Sequence, residues 1–535
     1  MTAVGARPPA RDGSIRRATL LTGLLVAAGT GLGFVRDLVM AHRFGASSGT
    51  DAFLVAWTIP ETVSPLLIED AMALLMVPVV TRLLREPDGV RPLVVSVLPR
   101  LAVALAAVAL VLVLAAPLLV DVLAPGLEDP GPAARCVRLT ALTVLAFGIA
   151  GFMSATLRAH HRFGPPASIY LAYNLGILTM IAAFAVPLGI TSAALGVACG
   201  GLLMVAVQLP AFVRCLRGAG GRDAAVREPK GAARDTAASV TLAAAAPIVL
   251  YTLTRQSQVF VERFLGSGLA AGSISHLNYA QKVGQVPMVA SLLLVTVTFP
   301  RLARASAGGD LDRVRRRVES DLVVVSAIVL YATAILIALA PQIVALLFQH
   351  GRFTEADGER TALVLRVYML GVWGQAMAGV AARAFFARAR PVWHPVCAMA
   401  AGLAVTGALG AALVGTGGTA ALAAANAAGI TVAAVALLLL VRRRVAPVSL
   451  RAAGGDIGAL ALAAGAACLA GLAATGRFPG PGALVPAGAP PLHQAGAGVA
   501  VVTAVYAAAL ALAAYGRARA GGPLSSFTSI RRKST

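Results

Sequence analysis

Apolar residues run through this 535-residue chain in long blocks, separated by short polar segments rich in arginine. The blocks fall at about 18–41, 51–81, 92–123, 136–157, 166–188, 190–213, 236–262, 271–300, 319–349, 361–382, 392–415, 419–441, 456–475 and 494–515. About 20 consecutive apolar residues suffice to cross a bilayer as a helix. None of the blocks alternates with the two-residue period of a barrel strand. They therefore read as helices, which satisfy their own backbone in lipid. The pattern predicts an all-α polytopic membrane protein with 14 transmembrane helices and both termini on one side.

Composition sharpens this reading. The chain is 58% apolar and only 13% charged, far from the roughly one-quarter charged residues of a soluble domain. A net charge of +22 would suit a nucleic-acid binder, but the charges lie between apolar blocks and not along one soluble face, so no nucleic-acid partner is expected. With the N-terminus inside, about three quarters of the 45 basic residues fall in inner segments, as the positive-inside rule requires. Arg7, Arg11, Arg16 and Arg17, the cluster Arg313 to Arg317, and Arg442 to Arg444 are examples. The first block exceeds signal-peptide length and lacks an A-x-A exit, so no cleaved leader is expected. The five cysteines show no CxxC spacing and read as small packing residues.

An internal repeat organises the chain. At one constant offset Gly148 falls on Gly374, Arg162 on Arg388, Pro165 on Pro391, Gly189 on Gly415 and Arg217 on Arg443. The fragments ATLRAHHRFGPP and ARAFFARARP occupy matching inner loops. The offset spans six helices, so the halves share one membrane orientation, and parallel repeats of this kind place a substrate site between halves near the bilayer midplane. The predicted plan is an inner tail at 1–17, an N-lobe at 18–217 and a linker at 218–235. A C-lobe at 236–444, a two-helix appendage at 445–516 and a basic tail at 517–535 follow.

Charges inside the blocks are the candidate chemistry. Each costs roughly 2.5–3.5 kcal/mol at a helix centre on insertion scales, so each needs a partner or an aqueous cavity. The first two helices hold Arg36, Asp37, Asp51, Glu61, Glu69 and Asp70. Arg36 and Asp37 point about 100° apart around the helix, which predicts that they do not neutralise each other within it; either Asp51 or a ligand completes Arg36, or these charges form a structural ion pair at the outer helix end. Glu69 and Asp70 lie among Pro60, Pro65 and Pro78, as a cavity wall or as a tight turn. In the second half, Arg255, Gln258 and Glu262 share one helix face, and Asn278, Lys282 and Gln285 share another. Either stripe serves a cavity or is helix–helix glue. Gly29, Gly31 and Gly33 read as close-packing or hinge positions.

Nothing in the sequence points to an enzyme. The seven histidines are scattered without HExxH, no paired-carboxylate metal arrangement occurs, and there is no Walker loop, so no cofactor is expected.

The stretch GLGFVRDLVMAHRFGASSGTDAFLVAWTIPE, Gly31 to Glu61, resembles the opening of the MurJ/MviN family. These are lipid II flippases within the multidrug/oligosaccharidyl-lipid/polysaccharide exporter superfamily. The similarity continues through GSISHLNYAQKVGQVP and FPRLARA. The resemblance implies two six-helix lobes plus two extra helices that shape a groove for a polyprenyl tail. It maps Arg36 and Asp37 to the family's Arg-Asp pair, Asp51 to its TDAF aspartate, Glu69 to its helix 2 glutamate and Lys282 to a position that usually holds arginine. Thr30 and Pro65 stand where the family carries arginines, and Gln281 replaces an aspartate.

The function so implied is movement of an undecaprenyl-pyrophosphate-linked saccharide, foremost lipid II, from the inner to the outer leaflet of the bacterial plasma membrane. Arg36, Arg255 and Lys282 would attract the pyrophosphate, and Asp37, Asp51 and Glu69 would pair with them in the empty site. Expected partners are the lipid-linked saccharide, membrane lipids, a proton or sodium ion for coupling, and cell-wall synthesis enzymes. Other readings are export of a different lipid-linked oligosaccharide, drug/cation antiport, which the basic residues oppose, and a non-transporting scaffold for cell-wall enzymes.

Overall fold

Helix forms in every apolar block. The structure, a computed structural model, describes residues 12–70, 90–218, 242–289, 308–387, 392–475 and 489–519, with isolated helical residues within 71–89 and 290–307. The predicted linker beyond Gly218 and the tail beyond Arg519 lie outside the described residues. Helix α1 spans Asp12–Phe44 and α2 spans Ser48–Ser64, continued by a π-helical segment, Pro65–Asp70. Next come α3 (Arg91–Leu114), α4 (Ala116–Leu123), α5 (Pro130–Ala141), α6 (Thr143–Ala159) and α7 (Gly164–Ala167). Helices α8 (Ile169–Leu188) and α9 (Thr191–Gly218) follow, then α10 (Leu242–Gly266) and α11 (Ser273–Gly284). The rest is α12 (Leu311–Ala338), α13 (Ala340–Phe348), α14 (Glu355–Phe386), α15 (His394–Arg444), α16 (Leu450–Ala474) and α17 (Pro491–Arg519). No strand occurs among the described residues.

Eleven helices among the described residues are long and apolar enough to cross a membrane. The blocks 392–415 and 419–441 form the single element α15, which breaks at Gly418, where φ is +55° and ψ −138°. The blocks 236–262 and 271–300 hold α10, which carries Arg255, Glu262 and Arg263, and the 12-residue α11.

Two compact units result. The first comprises Met1–Met40 with Ala52–Ala245, and the second Ala41–Asp51 with Ala246–Thr535. The turn joining α1 to α2 thus belongs to the second unit.

In the first unit, α8 and α9 approach backbone to backbone. A Cβ on Gly200 would lie 2.5 Å from the Tyr173 carbonyl oxygen, so the crossing admits only hydrogen there. Pro60 lacks the N–H that would serve the Ala56 carbonyl, and Thr140 of α5 donates its hydroxyl to that oxygen at 3.1 Å. The second unit repeats the device. Pro341 in α13 leaves the Ile337 carbonyl open, and Arg366 Nε of α14 donates to it at 3.0 Å. Helices α16 and α17 pack on α12 and α13 through Val323, Leu339, Leu460, Ala467 and Val502. Tyr506 donates to the Ala327 carbonyl at 3.0 Å, which ties this pair down with a hydrogen bond as well. Near the start of α12, Asp321 accepts from Thr298 at 3.1 Å and pairs with Arg317 at 3.3 Å.

Gly200→Ala should cost about 1–3 kcal/mol by overpacking and lower the melting temperature of the detergent-solubilised protein. Gly407→Ala, whose Cβ would meet nothing within 4 Å, should leave it unchanged or slightly raised.

Candidate functional site

The intramembrane charges fall into two constellations, one in each unit. In the first unit, α1 carries the buried pair Arg36 and Asp37. Contrary to the expectation from their spacing, they neutralise each other. Arg36 Nε and Nη2 donate to Asp37 Oδ1 at 3.0 and 2.8 Å. The 100° separation governs where the Cβ atoms point, but the long arginine side chain curls back to its short neighbour. The alternative is an unpaired charge in lipid.

Two further groups hold this guanidinium. Its Nη1 donates to Asn174 Oδ1 on α8 at 3.2 Å, and its carbon lies 4.4 Å from the centre of the Trp57 ring on α2, in cation–π range. Trp57 is supported in turn by Phe53 and Tyr173. Gly29 and Gly33 let α8 come close. A Cβ on Gly29 would lie 3.1 Å from Tyr170 Cβ, and one on Gly33 would lie 3.3 Å from Asn174 Nδ2. Gly31 faces open space and plays no such part.

In the second unit, Asp51 is committed elsewhere and does not complete Arg36. Its carboxylate accepts the backbone N–H groups of Gly272 and Ser275, both at 2.7 Å, and the Ser275 hydroxyl at 2.6 Å. These are the orphan donors at the start of α11, whose own N-cap, Gly272, has no side chain to offer. A negative charge at a helix N-terminus also meets the positive end of the helix dipole. Asp51 is therefore a cap supplied from a distant part of the chain. Around it the 41–51 turn is held by the Arg352 amide donating to the His42 carbonyl at 2.9 Å and by Gly351 and Gly45, both at positive φ. Next to Ser275, the buried His276 bonds through Nδ1 to Thr361 at 2.9 Å, with Nε2 3.6 Å from Asp357.

The two polar stripes meet in part. Glu262 of α10 is buried and accepts from Gln281 Nε2 of α11 at 2.8 Å and from Asn426 Nδ2 of α15. Gln281 stands where the resemblance puts an aspartate. An acid there would confront Glu262 with a like charge, whereas the amide supplies a donor. Arg255 is exposed on α10, and Lys282 is half-buried on α11. At Glu69 and Asp70 the backbone is π-helical, so the tight-turn reading of that stretch does not hold. The side chains of these two residues lie outside the described set. Trp57, Asn174 and Asn426 were not singled out from the sequence. An amide spaced within an apolar run, as in Ile169–Leu188, is the signal that would have pointed to Asn174. No group of metal-ligating side chains forms among the described residues.

Buried charges on membrane-crossing helices, each held by amides, hydroxyls or an aromatic face, define a multi-pass helical membrane protein with a transporter fold. The fold matches a solved structure titled lipid II flippase MurJ, inward closed conformation, with a TM-score of 0.69 and 17% identity over 91% of this chain and 98% of that one. It also matches an inward-facing MATE family multidrug resistance transporter of the MOP superfamily, with a TM-score of 0.63 and 12% identity over 79% of this chain and 94% of that one. The family model described as lipid II flippase MurJ matches residues 40–485, and the chain belongs to that family. Among its relatives is the lipid II flippase MurJ of Burkholderia cenocepacia, 26% identical over 370 residues that cover 66% of this chain and 70% of the relative.

Asp51→Asn removes the charge and turns one acceptor into a donor facing backbone N–H groups. It should destabilise the protein by about 1.5–3 kcal/mol, the value of hydrogen bonds to a charged group, seen as a lower melting temperature. Ser275→Ala, which removes one donor of three, should cost less.

Proposed function

We propose that this protein is a flippase that carries lipid II from the inner to the outer leaflet of the bacterial plasma membrane by alternating access. The observation that carries the reading is the family match over residues 40–485 together with an arginine, Arg36, buried in a membrane-crossing helix that the family resemblance assigns to the substrate's pyrophosphate. Arginine is suited to this task because its planar fork offers parallel N–H donors to phosphate oxygens. In the empty protein Asp37 occupies part of that fork. On loading, a phosphate oxygen takes its place. The sequence repeat supports the alternating-access part of the reading.

The cycle has an energy source in the membrane potential. A headgroup with two negative charges leaving an inside-negative cell gains about 4–5 kcal/mol at 100 mV, which suffices without ATP. The absence of arginine at Thr30 and Pro65 favours a second, narrower reading in which the preferred cargo is another polyprenyl-pyrophosphate-linked saccharide with a smaller charge requirement.

Reconstituted protein should expose lipid II to an externally added modifying enzyme, and faster when the compartment that holds the lipid is made negative. Arg36→Ala should slow this at least about tenfold, and Lys282→Ala by a smaller factor, since an ammonium holds phosphate only as a point charge. Undiminished transport in both variants rules out the phosphate grip. Inertness toward lipid II alongside transport of another lipid-linked saccharide selects the second reading.

A further inference from the structure

The Arg36 contacts divide into two kinds, and the division carries an inference that rests on the flippase reading above. Asp37 is an anion, and a phosphate competes for the same N–H donors. Asn174 and Trp57 are neutral, and neither is displaced by an incoming anion. We propose that Asn174 and Trp57 are positioning residues for the transport reaction: they keep the Arg36 guanidinium flat and oriented while its anionic partner changes from Asp37 to a phosphate of the substrate.

The geometry of Asn174 supports this role. Its Nδ2 donates to two backbone carbonyls, Gly29 O on α1 at 3.1 Å and Tyr170 O on α8 at 2.9 Å. With the amino group committed twice, the amide cannot flip, and its oxygen must face the guanidinium. The Oδ1 to Nη1 bond at 3.2 Å then fixes rotation of the fork in its own plane. The Trp57 face, 4.4 Å from the guanidinium carbon, holds the cation over the ring. Trp57 is in turn immobilised by Phe53 at 5.6 Å and Tyr173 at 6.1 Å, ring centre to ring centre. Asn174 is 5% exposed and Trp57 9%, so both contacts act away from bulk water, where they are strongest.

An arginine held only by its neighbour Asp37 would be released into many rotamers at the moment a phosphate displaces the carboxylate. Ordering a rotamer-rich side chain at a binding site costs conformational entropy. The neutral bracket removes that cost from substrate binding. Loss of the bracket therefore weakens loading of the site and leaves the later transport steps alone.

The test is the initial rate of lipid II movement in proteoliposomes as a function of lipid II content, for Asn174→Leu, Trp57→Leu, Trp57→Phe and Arg36→Ala. Asn174→Leu and Trp57→Leu should raise the half-saturating lipid II content about five- to tenfold with the maximal rate within about twofold, whereas a merely structural lesion lowers the maximal rate instead. Trp57→Phe keeps a weaker aromatic face and should fall in between. Trp57 also reports on the site directly. In a Trp373→Phe/Trp393→Phe background it is the only one of the chain's three tryptophans left. Its emission should change on lipid II addition, and Arg36→Ala in that background should remove the change. If Asn174→Leu does not fold, the tryptophan series and the emission decide. Half-saturation unchanged in both Trp57 variants while Arg36→Ala loses transport overturns the positioning role and spares the phosphate grip. Full transport by Arg36→Ala overturns both.

Discussion

A polar group surrounded by hydrocarbon has no water to fall back on, and this one constraint accounts for most polar contacts in the protein. It acts on backbone and side chains alike. Pro60 withholds an N–H from a carbonyl inside α2, and Pro341, in the first turn of α13, leaves open a carbonyl in the last turn of α12. In each case a neighbouring helix supplies a side-chain donor, Thr140 to Ala56 and Arg366 to Ile337. Arg366 on α14 therefore has a structural duty despite its charge. The same demand closes the α11 N-terminus with Asp51, and it surrounds Glu262 with two amides. Helix packing then follows from small residues, since lipid offers no hydrophobic drive for one apolar helix to prefer another. The α8–α9 crossing through Gly200 is an example.

Seen this way, the buried charges are not equivalent. Asp51 accepts donors that are themselves fixed parts of a helix end, and nothing entering the protein replaces a backbone N–H. Its role is architectural, and it secures the 41–51 turn within the second unit. Glu262 is likewise enclosed by donors from α11 and α15. Arg36 differs because its strongest partner is a side-chain carboxylate of like charge to phosphate, and its other partners are neutral. A site that exchanges one anion for another needs this asymmetry.

The helices were legible in the sequence because bilayer thickness imposes a length on every apolar block. The family was legible because GFVRD and GTDAF combine charge with glycine at positions where lipid tolerates few alternatives. The side-chain partners were much less so. The Arg36–Asp37 pair is legible only in part: charge balance favours it, whereas the helical wheel, which describes Cβ directions and ignores the reach of an arginine, argues against it. Asp51 was assigned to substrate charge because its actual partners, the amides of Gly272 and Ser275, carry no signature in side-chain chemistry. Asn174 and Trp57 were passed over because a single amide or indole in an apolar run looks like ordinary packing until the residue it touches is known. The turn alternative for Glu69 and Asp70 failed for a different reason. Pro65 does not end the helix; the chain passes from α2 into a π-helical segment there, a local rewinding that keeps the helix continuous.

The neutral pairing of Arg36 with Asp37 also bears on how a membrane potential does work in the proposed cycle. The potential acts on net charge displaced across the field. An unpaired arginine would oppose the potential on the outward step and regain the same work on returning inward, so it would shift driving force from the export step to the return step. An arginine that regains Asp37 as the phosphate leaves returns as a neutral pair. Because both members lie on α1, one residue apart, they travel together, and the pair adds nothing to the charge balance of the return step. The full charge of the headgroup then acts within the export step itself. On this argument Asp37 serves the resetting of the carrier as well as the neutralisation of Arg36, and adjacency in sequence is what keeps the two charges on one helix.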